Sequence, residues 1–219
     1  MKTVLVTGGS RGIGKATVKE FLDNNYLVIT TSTDGKINNQ HPNISSFQLN
    51  LADEASINNF VNQLKEKGAT IDVLVNNAAW SPEVEDKISF EDLRKCLNIN
   101  LVGTIILTQQ LIPFINKNGV IINISSQMGS LTENGGEDFP SYCISKTALN
   151  MYTRTLYFSK DITSKGIRVY SFDPGWVKTD MGGPEAEREP DEPATEIYTL
   201  AKSHSESGQF YRGLIKRSW

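Results

Sequence analysis

A tyrosine and a lysine on one predicted helix are the side chains in this sequence best suited to moving a proton. Tyr142 and Lys146 are four residues apart, so in a helix they share one face. A phenol has a pKa of about 10 in model compounds. An ammonium group one turn away favours the phenolate and brings the hydroxyl into a usable range. The same spacing also occurs on solvated helix faces without function, so the pair is informative only if other residues supply a reactant and a cleft.

Glycines near the amino terminus predict where an anionic ligand binds. Residues 2–7 form a short β-branched run, and residues 15–22 have the periodicity of an amphipathic helix. Glycine permits positive φ and close approach of a ligand, while a helix start presents unpaired N–H groups. The flanking strand and helix favour a dinucleotide pyrophosphate site over an ordinary turn, although the spacing is Gly-x-x-x-Gly-x-Gly. The residues of this turn are Gly8, Gly9, Ser10, Arg11, Gly12, Ile13 and Gly14.

Composition argues against several classes of function. The chain has 219 residues, enough for one sizeable core. Its 25 acidic and 22 basic residues give a net charge of −3, without the basic block that would suggest nucleic-acid binding. Cys96 and Cys143 lack metal-site spacing and are predicted to be reduced thiols. His41 and His204 stand in polar surroundings, so neither a histidine base nor a metal site is indicated.

The start of the chain is predicted to be a strand rather than a secretory signal. A signal peptide would have a longer apolar run and no glycine loop inside it. We also expect that no stretch is long or apolar enough to cross a bilayer. The sequence therefore predicts a soluble cytoplasmic protein with no membrane or nucleic-acid partner.

Strands and helices alternate along the chain with short connections. Continuous apolar strands predict a parallel sheet covered on both faces. The alternation predicts a single-domain α/β protein over residues 1–219, a doubly wound Rossmann fold of about seven strands with helices on both faces. The predicted strands are 2–7, 27–31, 44–49, 72–75, 120–124, 167–172 and 209–214. The predicted helices are 15–22, 54–67 (capped by Asp53), 90–116 (broken near Asn100), 141–164 and 192–202.

Four further segments follow one another along the chain, each next to one of these predicted elements. They are Asn76-Asn77-Ala78-Ala79, residues 98–103 around Asn100, residues 121–126 ending at Ser126, and residues 173–179 with a Pro-Gly turn. With the glycine turn and Tyr142-x-x-x-Lys146, they resemble the short-chain dehydrogenase/reductase family over almost the whole chain. Residues 175–181 and the loop after them resemble its carbonyl-reductase-like branch.

The resemblance implies a role for each polar residue around a substrate carbonyl. Tyr142 would be the general acid in reduction and the base in oxidation, and Ser126 would donate a hydrogen bond to the same oxygen. Lys146 would lower the pKa of Tyr142 and bind the nicotinamide ribose, while Asn100 would hold a water linking Lys146 to solvent. Individually, Ser126 could be a strand-end cap, Asn100 a helix defect and residues 174–175 an ordinary turn. The nicotinamide itself would be fixed by Pro174, Gly175, Val177 and Thr179.

The coenzyme is predicted from the residues after the second strand. An acid there would hold the adenosine ribose and repel a 2′-phosphate, but Ser32 and Thr33 are neutral and Asp34 comes slightly later. Arg11 can offer guanidinium donors to a phosphate. NADP(H) is favoured, with NAD(H) as the alternative. The remaining predicted contacts are Asn50 and Leu51 for adenine, and Asn77, Ala78 and Ala79 for the adenosine ribose.

Departures from the family pattern concern the substrate and the assembly. The interval between Ser126 and Tyr142 is extended by a polar loop at 132–140, and a short substrate loop covers about 180–192. An open site for a small carbonyl or secondary alcohol is expected. A nucleotide-binding sensor with little turnover is the alternative, and a sugar-nucleotide epimerase fits less well. Relatives often form dimers or tetramers through two long helices, so the resemblance implies a homodimer or homotetramer, an association that an insertion before Tyr142 can block. Candidates for an apolar wall are Trp80, Met128, Phe139, Trp176 and Met181.

Overall fold

A mostly parallel sheet forms the centre of the protein. The computed structural model describes residues 1–37, 41–133 and 138–219, and within these ranges it contains eight strands in the order β3-β2-β1-β4-β5-β6-β7-β8. All neighbouring pairs are parallel except β7 and β8. The predicted doubly wound Rossmann fold is confirmed. The strands are β1 Thr3–Val6, β2 Leu27–Ser32, β3 Ile44–Gln48, β4 Ile71–Asn76, β5 Ile115–Ile124, β6 Arg168–Phe172, β7 Gln209–Arg212 and β8 Ile215–Lys216.

Helices cover both faces of this sheet. Alternate residues of a strand point to opposite faces, so Val4 and Val6 of β1 pack in one apolar cluster and Leu5 packs in the other. Phe21 and Ile197 belong to the first cluster, and their helices pack against each other. The helices are α1 Gly12–Asp23, α2 Glu54–Glu66, α3 Phe90–Cys96, α4 Thr104–Leu111, α5 Pro140–Tyr157, α6 Lys160–Thr163 and α7 Asp191–Lys202. The second cluster lies under α2, α4 and α5.

The predicted long helix 90–116 is divided into four segments. α3 is followed by a π-helical segment, Leu97–Gly103, then by α4 and a 3₁₀ turn at Ile112–Phe114. The predicted end at residue 116 is wrong, because β5 already begins at Ile115. The amide of Asn116 donates a 3.0 Å hydrogen bond to Asp72 Oδ1 on the neighbouring strand. Pairing with β4 therefore decides where the helix stops.

Two other predicted boundaries are also corrected. The helix predicted over 141–164 ends at Tyr157, because the backbone becomes extended at Ser159 before α6 begins. Ile162 of α6 then packs in the core. The strand predicted over 209–214 ends at Arg212, since Gly213 adopts a φ of +58° and turns the chain back into β8. This hairpin makes the eighth strand.

One helical stretch meets the length and composition expected of a membrane span. Phe90–Phe114 is 25 residues long with a mean hydropathy of 1.3 in its most apolar window. The prediction that no stretch is long and apolar enough is therefore wrong by these two criteria. A core helix of a soluble protein passes the same test, and this stretch packs against α2 and α5.

Candidate active site

Segments that follow four neighbouring strands meet at one edge of the sheet. The glycine turn follows β1, residues 77–80 follow β4, Ser126 follows β5 and residues 173–179 follow β6. Parallel neighbours place their carboxyl ends side by side. A cleft of about 530 Å³ opens at this edge. Of the predicted site residues, those lining it are Ile13, Ser126, Tyr142, Pro174, Gly175, Val177 and Thr179.

Tyr142 and Lys146 share one face of α5, as their spacing predicts. The ammonium Nζ lies 5.4 Å from the centre of the phenol ring. Lys146 is buried, and its Nζ donates a 2.7 Å hydrogen bond to the carbonyl oxygen of Ile124 at the end of β5. Burial lowers the pKa of Lys146 to about 8, because loss of water disfavours the ammonium. The lysine is thus held between helix and sheet and remains mostly charged at neutral pH.

The pKa of Tyr142 is shifted upward. Burial of the phenol raises this pKa most, the negative charge of Asp173 raises it further, and a hydrogen bond with Ser126 acts in the opposite direction. Burial of the phenol outweighs the lowering expected from the Lys146 ammonium, so the net shift of the pKa is upward. A high pKa keeps the phenol protonated, which is the form a general acid requires.

Ser126 is both a cap and a group directed at the cleft. Its Oγ accepts a 3.1 Å hydrogen bond from the N–H of Met128, at the start of the 3₁₀ turn Gln127–Gly129. A hydroxyl that accepts a bond still has its proton to donate. The cap therefore fixes the direction of a donor beside Tyr142.

Asn100 lies inside the π-helical segment, which confirms the predicted break. Its buried Oδ1 accepts from the N–H of Trp80 at 2.7 Å, and its Nδ2 donates to the Trp80 carbonyl at 2.8 Å and to Ser145 Oγ at 3.0 Å. These bonds join the segment after β4 to α5, next to Lys146. The water-holding role of Asn100 stays a prediction. In the structure, its side chain links the backbone of Trp80 to Ser145 of α5 through hydrogen bonds.

Glu85 is a site residue that the sequence did not indicate. α5 begins after Phe139, whose φ is +55° and whose side chain cannot cap a helix. The buried carboxylate of Glu85 caps α5 instead, because Oε2 accepts from the N–H of Ser141 at 2.9 Å and Oε1 accepts from its hydroxyl. A carboxylate at a helix N-terminus also complements the helix dipole. Residue types adjacent to α5 gave no signal, because the capping group is 56 positions away in sequence.

The glycine turn is pinned by the segment after β4. Gly8 has a φ of +70°, and a Cβ on Gly14 would lie 2.2 Å from the Gly8 carbonyl oxygen, so both positions require glycine. Asn77 Nδ2 donates to the carbonyls of Thr7 at 2.8 Å and Gly8 at 3.2 Å. Thr7 Oγ1 accepts from the N–H groups of Asn77 and Ala78. Asn77, predicted to line the ribose side, thus uses its amide to shape the turn.

A family model described as short chain dehydrogenase matches residues 2–190. The chain belongs to the short-chain dehydrogenase family. It is 30% identical over 216 residues to L-fucose dehydrogenase of Bos taurus, covering 95% of this chain and 78% of that protein. Carbonyl reductase Sniffer of D. melanogaster superposes with a TM-score of 0.88 at 26% identity, covering all of both chains. NADPH-bound carbonyl reductase from chicken fatty liver gives a TM-score of 0.87 at 29% identity, covering 100% of this chain and 99% of that chain.

In this short-chain dehydrogenase, the turn after β6 is held by groups that the sequence did not single out. Asp173 is buried, and its Oδ1 accepts from the N–H of Gly175 at 3.0 Å. Arg212 of β7 donates to Asp173 Oδ2 and to Gln127 Oε1. Arg188 donates to the Pro174 carbonyl at 2.7 Å. The sequence offered one signal for these contacts, which is the acidic residue at the end of β6. A carboxylate buried at that position needs a charged or hydrogen-bonding partner.

The residues predicted to contact the adenosine half differ in exposure and in their present partners. Arg11 is 78% exposed in its side chain and pairs with Asp180 at 2.9 Å. The Ser32 hydroxyl lies 2.9 Å from Asp34 Oδ1, and hydrogen bonds from the Lys36 backbone and from Ser32 lower the pKa of Asp34. Asn50 uses its Oδ1 to accept from the N–H of Ala52 at 3.0 Å. Leu51, predicted to contact adenine, places its side chain in the core.

Four of the five candidates for an apolar wall line the cleft. They are Met128, Phe139, Trp176 and Met181. Trp80 is wrong as a lining residue, since Asn100 binds its backbone and Lys95 lies 3.9 Å from the centre of its ring. Of the predicted polar loop 132–140, residues 134–137 lie outside the described part of the chain.

Both cysteines lie in the described ranges, and neither forms a disulfide. Cys96 is buried, and burial raises its pKa to about 11. Over residues 1–37, 41–133 and 138–219, no group of three or more His, Cys, Asp or Glu residues is placed to hold a metal ion.

Proposed function

We propose that this short-chain dehydrogenase is an NADP(H)-dependent reductase of small carbonyl compounds, acting through Tyr142. The observation that carries the proposal is the convergence of Ser126, Tyr142 and the Pro174-Gly175 turn on one cleft, with Lys146 buried behind the phenol. A donor, an acid and a binding turn for a flat ring are the parts that carbonyl reduction needs. The likeness to two carbonyl reductases over the full chain supports the same activity.

The cleft fits a dinucleotide coenzyme. In α1 the first turn carries no acidic residue, and no side chain of the described residues caps its N-terminal N–H groups. These groups are therefore suited to a pyrophosphate. Gly12, with a φ of +53°, packs against Thr179, since a Cβ at this position would lie 3.1 Å from Thr179 Cγ2. When bound, the coenzyme would supply or accept the hydride, and residues 174–179 would hold its nicotinamide.

The chain's own residues would handle the oxygen of the substrate. Ser126 would donate a hydrogen bond to the carbonyl oxygen as negative charge develops there. Tyr142 would transfer its proton to that oxygen, and would take it back in the oxidative direction. Lys146, held by Ile124 at 2.7 Å, would stabilise the phenolate left after transfer. The raised pKa of Tyr142 favours the protonated starting form.

The preference for the phosphorylated coenzyme rests on two groups at the adenosine end. Arg11 can approach a 2′-phosphate with charged donors, and no acid occupies residues 31–33. Asp34 opposes this preference, because its carboxylate lies beside Ser32. The ratio of NADPH to NADH affinity in wild type, Arg11→Gln and Asp34→Asn tests the assignment.

A small and variable carbonyl is the proposed substrate class. The loop between Val177 and Asp191 is short, and Arg188 folds back onto it through a hydrogen bond from its N–H to the Trp176 carbonyl. Trp176 and Met181 are both 52% exposed at the mouth of the cleft. An accessible apolar mouth suits small ketones and aldehydes of varied shape.

Purified protein tested with NADPH, NADH and a panel of ketones and aldehydes decides the function. We expect NADPH oxidation that Tyr142→Phe reduces by about 10²- to 10⁴-fold. Tyr152→Phe is the matched control, since Tyr152 is on the same helix and its hydroxyl accepts from Gln109 at 3.4 Å instead of lining the cleft. Tight NADPH binding with no turnover of any carbonyl would favour the sensor instead.

A further inference from the structure

A buried carboxylate lies at the floor of the cleft, and an arginine neutralises it. Asp173 is 1% exposed. Arg212 Nε donates to Asp173 Oδ2 at 2.9 Å, and its second nitrogen bonds to the same oxygen. Both residues line the cleft that contains Tyr142. They come from different strands, β7 and the end of β6, and are 39 positions apart in sequence.

The pair also connects two turns of the site. Asp173 Oδ1 holds the N–H of Gly175, which fixes the turn proposed to meet the nicotinamide. Arg212 reaches Gln127 Oε1 at 3.1 Å, directly after Ser126. Its guanidinium would also lie 3.8 Å from a Cβ on Gly175. Arg212 thus contacts the Gly175 turn, the turn after Ser126 and the carboxylate of Asp173.

We propose that Arg212 is a positioning residue of the reaction, which offsets part of the charge of Asp173 in the cleft of Tyr142 and holds the Ser126 and Gly175 turns in one frame. The proposal rests on the proposed function for its activity readout. Without Arg212, Asp173 would present an uncompensated negative charge to the phenol, and like charges oppose formation of the phenolate. Tyr142 would then be a poorer base in the oxidative direction.

Other charged or titratable groups of the described residues also lie near Tyr142. On α5, Lys146 lies 5.4 Å from the centre of the ring and Cys143 is the next residue; the buried thiol of Cys96 on α3 also influences the pKa of Tyr142. The acids that line the outer part of the cleft are Glu83, Glu133 and Asp138, and Glu133 already pairs with Arg217. The buried carboxylate of Glu85 is held by the N–H and hydroxyl of Ser141, next to Tyr142. Asp173 is the buried acid that lines the cleft itself, and Arg212 is its partner.

The test compares the pH dependence of alcohol oxidation in four variants. Arg212→Gln should move the rise in kcat/KM to higher pH by about one unit, and Asp173→Asn should move it to lower pH by a similar amount. The double variant, which removes both charges, should return it close to wild type. Arg188→Gln is the matched control, because Arg188 holds the same turn through Pro174 but pairs with Glu196. It should weaken NADPH binding without moving the pH profile.

Measurements without turnover separate this proposal from the proposed function. A [13Cζ]tyrosine titration, with Tyr142→Phe identifying the signal, should show Tyr142 ionising earlier in Asp173→Asn and later in Arg212→Gln. NADPH affinity, measured by coenzyme fluorescence, should fall in Arg212→Gln and recover in part in Arg212→Lys. A wild-type protein with no turnover would overturn the proposed function alone. Folded variants with an unmoved Tyr142 titration would overturn the role of Arg212.

Discussion

The surroundings of Tyr142 and the residues predicted to bind the adenosine half of the coenzyme are built differently. Around Tyr142, polar groups are buried and hydrogen-bonded to specific partners: Lys146 with Ile124, Asn100 with Trp80, and Glu85 with Ser141. At the adenosine end, Arg11 is largely exposed and pairs with another exposed residue, Asp180. Buried hydrogen bonds are expensive to break, whereas exposed ion pairs contribute little. On the proposed function, the reacting groups would therefore be held rigidly, while coenzyme preference would depend on a few exposed side chains.

After Tyr142→Phe, removing the hydroxyl of Ser126 should produce the largest effect. Ser126→Ala removes the donor to the developing oxyanion, and we expect kcat for carbonyl reduction to fall by about 10²-fold or more. Ser126→Thr keeps both the hydroxyl and the cap on Met128 and should retain much of the activity. Steady-state kinetics at saturating NADPH measures the difference. An alanine variant as active as wild type would show that Ser126 is only a cap.

Removing the Glu85 cap should destabilise α5, the helix that carries Tyr142 and Lys146. Glu85→Ala leaves the buried N–H of Ser141 unpaired, and we expect the free energy of unfolding to fall by about 2 kcal/mol. Urea unfolding followed by circular dichroism measures it. Asp86→Ala is the control, because Asp86 is an exposed neighbour in the same loop and should change stability little. Equal effects of the two substitutions would contradict the capping role.

The buried ammonium of Lys146 should make the free energy of unfolding depend on pH. The pKa of Lys146 is about 8 in the folded protein against an ordinary 10.5, so the unfolded chain binds more protons between these values. The free energy of unfolding should rise with pH just above 8, by up to about 1.4 kcal/mol per unit. Cys96, whose pKa is raised to about 11 from 9.0, opposes this rise above pH 9.

The contribution of Lys146 is isolated by subtraction. The difference in unfolding free energy between Cys96→Ser and the double variant Cys96→Ser/Lys146→Met, which both lack the coupled thiol, should change between about pH 7.5 and 9. Denaturant unfolding of both proteins at several pH values measures this difference in free energy. A difference that is flat over this interval would mean that the ammonium is not desolvated.

Changes at the adenosine end should have the smallest effects. Arg11→Gln should weaken NADPH binding by about fivefold, or about 1 kcal/mol, and leave NADH binding unchanged. Asp34→Asn should shift the preference in the opposite direction by removing a charge next to Ser32. Competition titrations with both coenzymes measure the ratios. Effects as large as those of Ser126→Ala would remove the contrast between the two groups of residues.

The part of the site that local sequence predicts is the part that local geometry fixes. Tyr142 and Lys146 share a face because of helical periodicity, and the glycine turn has its shape because Gly8 needs a positive φ. Parallel strands bring their carboxyl ends together, so the order of the motifs was enough to place Ser126 near residues 174–179. The break near Asn100 was predicted, but its π-helical form was not.

Long-range packing decided everything that depends on burial. The cap of α5 comes from Glu85, and the partner of Asp173 comes from Arg212, neither of which is near its target in the sequence. The direction of the Tyr142 pKa also depended on packing, because desolvation outweighs a nearby ammonium that is bonded to Ile124. By itself the sequence determined the fold and the shared helix face of Tyr142 and Lys146, through periodicity and turn chemistry. Tertiary structure alone decided which charges are buried together, since the cost of desolvation belongs to the folded core and not to any local segment.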